Sequence, residues 1–195
     1  KVIRKGESTQ GVLNSHFRWL FGALPKGAQL YSALETHDFF RVMDRWKHYG
    51  PHRLKAAIWT WLATTRGPIM IYNRQEIGEV HRIRIDNLEH DYEEADRQRY
   101  YAQKDFERIY GEGKTVQRFY EKAIDFYRRH TALHTGENYI LDTNHNRVFA
   151  IARYNPDENF IFVVNCWWET TYVEINLSRL WQELGVEDSL RQFYA

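Results

Sequence analysis

The chain has 195 residues, a length that suits one domain or two small ones, and 43% of them are hydrophobic, enough to build a core and to exclude wholesale disorder. Its 27 Lys and Arg nearly balance 26 Asp and Glu, for a formal charge of +1, which argues against a protein built mainly to hold nucleic acid. No run approaches the roughly 18–20 apolar residues that a membrane-spanning helix needs, and the single cysteine, Cys166, excludes an intramolecular disulfide framework and a multi-cysteine zinc site.

Val12, Leu13, Phe17, Leu20, Phe21 and Leu24 recur at helical spacing, and Pro25-Lys26-Gly27 closes that segment. Residues 28–34 form a short, mostly apolar run that predicts a buried strand ending in the polar Glu35-Thr36-His37-Asp38. After the Gly50-Pro51 punctuation, Leu54, Ala57, Ile58, Trp61 and Leu62 fit one face of a second helix. Arg66-Gly67-Pro68 breaks it, and residues 69–72 predict another buried strand, ending in Asn73-Arg74-Gln75-Glu76. Residues 79–112 are charged and read as a long loop carrying a helical piece near 93–109. Val116, Phe119, Tyr120, Ala123, Ile124 and Tyr127 define a third amphipathic helix.

After Gly136 the hydrophobic period changes from 3.6 to 2. Residues 139–141, 148–154, 160–165 and 171–175 read as short antiparallel strands, with turns at Asn144-His145-Asn146 and Asn155-Pro156-Asp157. Two domains are therefore expected, 1–135 and 136–195, the first α/β and the second all-β. Two parallel strands alone would leave both edges open, so the first part reads as the tail end of a larger α/β domain. The absence of an initiator methionine before Lys1 agrees with a piece of a longer protein.

In such sheets functional side chains gather at the C-terminal ends of strands. That places His37 and Asp38, followed by Arg41, among the candidate functional residues, the alternative being that Asp38 caps a following turn. Other motifs carry less. Gly111-Glu112-Gly113-Lys114-Thr115 looks like the end of a phosphate-binding loop, but Arg108 stands where its first Gly belongs, so a turn before the third helix is expected. His48 with His52, and His130 with His134, are spaced for metal on a helix but lack a third ligand, so surface histidines and no metal are expected. Asn176-Leu177-Ser178 fits a glycosylation site only in a secreted setting, Cys166 reads as a small buried residue, and Trp167-Trp168 as an interface anchor or a sugar platform. A nucleic-acid surface over 97–110 is diluted by Glu93, Glu94, Asp96, Asp105 and Glu107.

Leu24-Pro25-Lys26-Gly27-Ala28 together with Leu34-Glu35-Thr36-His37-Asp38-Phe39-Phe40-Arg41 resembles the segment of the alpha-amylase family (glycoside hydrolase family 13) that carries its late-barrel Asn-His-Asp signature. Gly67-Pro68-Ile69-Met70-Ile71-Tyr72-Asn73-Arg74-Gln75-Glu76-Ile77-Gly78 is similar, without a gap, to that family's Gly-Thr-Pro-x-Ile-Tyr-Tyr-Gly-Gln-Glu-Ile-Gly. The resemblance implies the last strands and helices of a (β/α)8 TIM barrel followed by a small, truncated antiparallel β-sandwich. It implies that Asp38 is a catalytic carboxylate stabilising the transition state on an α-glucan, with His37 and Arg41 as substrate-binding residues, Arg41 orienting the Asp38 loop. The nucleophile and acid would lie before Lys1, in a missing upstream barrel portion, so the isolated chain is expected to be inactive. Thr36 and Arg74 depart from the family's Asn and Gly. Arg74, and a C-terminal segment 180–186 that resembles a maltosyltransferase branch, leave open a phosphorylated-maltose donor, and a non-catalytic carbohydrate-binding protein is the other alternative. No cofactor, nucleic acid or membrane partner is expected, and the compartment stays open, leaning cytoplasmic.

Overall fold

The computed structural model describes residues 8–25, 27–36, 41–43, 46–79, 100, 103–104, 107–112, 114–167 and 169–185, with residues 46–53 described by their backbone. The expected helical piece at 93–109 falls largely outside them, and residues 107–110 are helical.

A π-helical turn, Gln10–Asn14, runs into α1, Ser15–Ala23. Strand β1 is Ser32–Ala33, α2 is Trp46–Thr64, and β2 is Ile69–Met70. A 3-10 turn at Gln75–Ile77 precedes α3, Val116–Arg129, and a second one, Thr131–Leu133, follows it. Then come β3 (Glu137–Thr143), β4 (Val148–Tyr154), β5 (Asn159–Asn165), β6 (Ile175–Asn176) and α4 (Ser178–Leu184).

β1 and β2 pair in parallel, Ser32 opposite Ile69 and Ala33 opposite Met70. Both are shorter than the apolar runs predict, because the chain turns away at Tyr72-Asn73-Arg74 and only two residue pairs remain in register. Backbone bonds from Leu30 N to Arg66 O (2.6 Å) and Ser32 N to Pro68 O (3.1 Å) extend the contact below the ladder. α2 begins at Trp46 and runs through Gly50-Pro51, where the sequence predicts its start. The buried stripe of Leu54, Ile58, Trp61 and Leu62 carries this helix, and that burial outweighs the local breakers.

The second half forms one sheet, ordered β5-β4-β3-β6 and antiparallel throughout. The last expected strand, 171–175, reduces to Ile175–Asn176, which pairs only with the end of β3 before α4 begins. Every residue of β4 from Val148 to Arg153 is buried, so the strand shows no in–out alternation. One reason lies on each face. Phe149 and Ile151 pack with Ile140, Val164 and Cys166 against Phe17 and Phe21 of α1 and Trp59 of α2. Ala150 and Ala152 pack with Leu141 against Leu180 of α4. Among the described residues the face that a sandwich would give to a second sheet is covered by α4.

The core ignores the change of period near residue 135. Phe17 stacks on Phe21 at 5.7 Å and meets Phe149 at 5.8 Å, while Arg18 reaches Asp142 at 2.7 Å. Trp59, Phe126 and Phe162 meet pairwise at 5.6–6.4 Å. Arg153 of β4 is fully buried and donates to four backbone carbonyls: Ala63 and Thr65 at the end of α2, and Ala132 and Leu133 after α3. Gly136 marks the closest backbone approach in this region. A Cβ there would meet the carbonyl oxygens of Ala132 and, at 2.7 Å, Tyr154. Backbone cannot swing aside as a side-chain end can. Gly136→Ala should therefore cost about 2–3 kcal/mol in urea unfolding, in the range of core overpacking, whereas an Ala at the open Gly22 should leave stability unchanged or improve it.

Candidate functional site

Parallel pairing of β1 and β2 sends both chains out at the same edge, so segments 34–36 and 71–76 lie side by side. Between them sits a buried ion pair. The Glu35 carboxylate is wholly buried; its Oε1 accepts from Val42 N at 2.7 Å and its Oε2 from Arg41 Nη1 at 3.1 Å. Arg41 also donates to the Asn73 carbonyl at 2.8 Å, and its guanidinium lies 4.4 Å from the Tyr72 ring centre. Arg41 therefore joins Glu35 to the end of the neighbouring strand segment. Burial pushes the Glu35 carboxyl above the ordinary carboxylate range, opposed by the Val42 N–H and the Arg41 charge. Such a pair adds little net stability, but breaking it strands a buried charge.

The second strand end is built as firmly. Gln75 is buried; its Oε1 accepts from Tyr72 N at 3.1 Å and its Nε2 donates to the Tyr120 hydroxyl at 3.0 Å. Burial pushes that phenol well above its usual range, so Tyr120 stays neutral. Arg74 adopts a left-handed backbone, φ 64°, which a glycine would take without strain. That geometry accounts for the Gly which the alpha-amylase motif carries at this place. Arg74 is anchored by the buried Glu79 carboxylate, Nε to Oε2 at 3.1 Å. Gln103 then latches the turn, donating to Ile77 O (2.8 Å) and accepting from Val116 N (3.1 Å).

His37 and Asp38 lie outside the described residues. Arg41 is described, and it bonds to Glu35 and to the Asn73 carbonyl. Sequence reasoning singled out the strand end but not the partnership of Glu35 with Arg41. Opposite charges six residues apart are a faint signal, because burial of both is a tertiary fact.

The remaining motifs resolve individually. Thr115 is the N-cap of α3, its hydroxyl accepting from Arg118 N at 3.2 Å, so the Lys114-Thr115 segment closes a turn; Gly113 lies outside the described residues. His130 Nδ1 meets Glu158 at 2.6 Å, while His134 Nε2 meets the Tyr127 carbonyl at 2.6 Å, so the two rings do not converge. The side chains of His48 and His52 lie outside the described residues. No group of metal-ligating residues occurs among the described ones. Cys166 is buried, and burial pushes its thiol up to about 12, which leaves it inert at neutral pH. Trp167 is capped by the Arg147 guanidinium, 3.6 Å from the ring centre; Trp168 lies outside the described residues. Asn176 Oδ1 accepts from Ser178 N at 3.0 Å.

No protein-family profile and no curated protein sequence matches the chain. Solved structures do. A noncanonic maltogenic alpha-amylase, AmyB from Thermotoga neapolitana, superposes with a TM-score of 0.68 at 21% identity over 92% of this chain and 38% of its own. The trehalulose synthase MutB, in an inactive double mutant bound to isomaltulose, gives 0.56 at 17% over 78% of this chain and 37% of its own. The debranching enzyme of Nostoc punctiforme, soaked with acarbose, gives 0.55 at 18% over 80% of this chain and 29% of its own. The chain thus spans less than two fifths of the length of these enzymes, and at such identities the likeness is one of fold.

Proposed function

We propose that this chain, whose fold is that of part of alpha-amylase-family enzymes, is the C-terminal portion of an α-glucan-active glycoside hydrolase. In this reading residues 1–135 close a (β/α)8 barrel with β1 and β2 as its final strands, and 136–195 form the attached β domain. The observation that carries the proposal is the bracket at the paired strand ends: Glu35, Arg41 and the Asn73 carbonyl are joined just past two parallel strands, where such folds keep their chemistry, and His37 and Asp38 stand between Glu35 and Arg41 in the sequence.

The reaction assigned is retaining glycoside cleavage. It needs a nucleophilic carboxylate and a protonated one about 5–5.5 Å apart, with further groups that stabilise an oxocarbenium-like state. Asp38 takes the last role: its negative charge favours the cationic sugar, and its oxygens accept from that sugar's hydroxyls. His37 hydrogen-bonds the same ring. Arg41 acts through the loop as a positioning residue. The nucleophile and the acid come from chain that precedes Lys1.

Maltoheptaose digestion tests this. The full-length protein should release products, and NMR of the first-formed sugar should show the α-anomer. The 195-residue chain alone should release none. Cleavage by that chain alone, inversion of the anomer, or glucan binding without cleavage by the full-length protein would each overturn the reading.

A further inference from the structure

α2 and α3 leave a cleft of about 550 Å³ between them, within the range of small-molecule sites. Its walls carry Lys55, Lys114, Arg118 and Lys122. The carboxylate among its described lining residues, Glu121, accepts from Gln117 Nε2 at 3.2 Å. Several other described cations find acids: Arg18 with Asp142, Arg41 with Glu35, Arg74 with Glu79, Lys104 with Glu107. Lys55, Lys114 and Lys122 have no carboxylate partner among the described residues.

Lys55 is the best-placed of the three. Its ammonium sits 3.9 Å from the Tyr110 ring centre and 5.4 Å from that of Phe119, both lining the cleft. Partial burial lowers its affinity for the proton, so the position favours a cation less than water does and gains from an added anion. Like charges around one cavity repel one another, a cost that a bound anion reverses. Lysine ammonium groups act as point-charge phosphate binders, and the two rings offer an apolar bed for whatever carries the phosphate.

We propose that this cleft binds a phosphate-bearing small molecule through Lys55, Lys114 and Lys122, with its body against Tyr110 and Phe119. Because Thr115 is spent on capping α3, the recognition comes from side chains and not from a phosphate-cradling loop. The site is independent of the glucan-cleavage reading.

Calorimetric titration of the full-length protein with inorganic phosphate is the test. Binding should be measurable at low ionic strength and should weaken at least about tenfold in Lys55→Met/Lys114→Ala/Lys122→Ala, and weaken with added salt. Lys104→Ala, at an exposed ion pair outside the cleft, should leave it unchanged. Lys114 and Lys122 are exposed, so Lys114→Ala/Lys122→Ala should keep the wild-type melting temperature and still lose most of the affinity. A parallel titration with glucose 1-phosphate separates the sources: tighter binding than phosphate assigns an ester, equal binding the free ion. No phosphate binding, or equal binding by the lysine variants and wild type, would overturn the proposal.

Discussion

Replacing Arg153 by methionine should lower the stability of the protein by about 3–5 kcal/mol, the large loss that follows when a buried hydrogen-bond network is broken and several acceptors are left unpaired. Methionine nearly preserves the volume, so the loss reports hydrogen bonding more than a cavity. Four carbonyl oxygens lose their donor at once: Ala63 (3.0 Å), Thr65 (2.6 Å), Ala132 (3.0 Å) and Leu133 (2.8 Å). Each belongs to a helix end or turn buried away from water, where an unmade bond costs about 1–3 kcal/mol. The guanidinium does not sit there cheaply. Burial lowers its pKa to about 10, and its Nε has no partner among the described residues. It nevertheless stays protonated at neutral pH, three units below that value. Arg153→Lys should recover part of the loss, because one ammonium cannot span carbonyls on two sides of the strand. Urea unfolding of the wild type, the methionine and the lysine variants decides it. A methionine variant within about 0.5 kcal/mol of wild type would show that the four bonds merely replace solvation.

Replacing Asp38 by alanine in the full-length protein should cut kcat for glucan cleavage by about 10²–10³, the range for losing one preorganised charge at a developing ion. The loss should fall on kcat more than on KM, because the carboxylate matters most when the sugar becomes cationic. Asp38→Asn should fall nearly as far, since the amide keeps the size and the hydrogen bonding but not the charge. Arg41→Met tests the positioning role through a different signature. It strands the buried Glu35 carboxylate and removes the tie to the Asn73 carbonyl, so activity and melting temperature should fall together, whereas Asp38→Ala should leave the melting temperature near wild type. Near-normal activity in the Asp38 variants would remove that residue from the mechanism.

The elements that the sequence predicts best are those whose own periodicity suffices. Val116, Tyr120, Ala123 and Tyr127 mark α3, and all four are buried. β4 and β5 keep the limits expected for them to within a residue, with Asn155 and Asp157 closing the hairpin through an Asx-type bond at 2.9 Å. The segments at Glu35 and Asn73 that follow the two strands are legible as candidate sites because an apolar run stopping at polar residues is a local pattern. α4 was not legible as a helix: seven residues carry too weak a period, and Leu180 alone buries it. The full burial of β4 was hidden for a similar reason, since alternation within a strand says nothing of a helix covering its second face.

The sequence by itself determined where the chain alternates between helix and strand, where the period changes, and which residues stand at two strand ends. Those follow from side-chain spacing along one segment. Only the tertiary structure decided that Glu35 and Arg41 share a buried bond, that Arg153 holds α2 and the turn after α3 to the sheet, and that three lysines face one cleft. Each depends on residues far apart in the chain, or on both partners being withdrawn from water, and desolvation is a property of the assembled core.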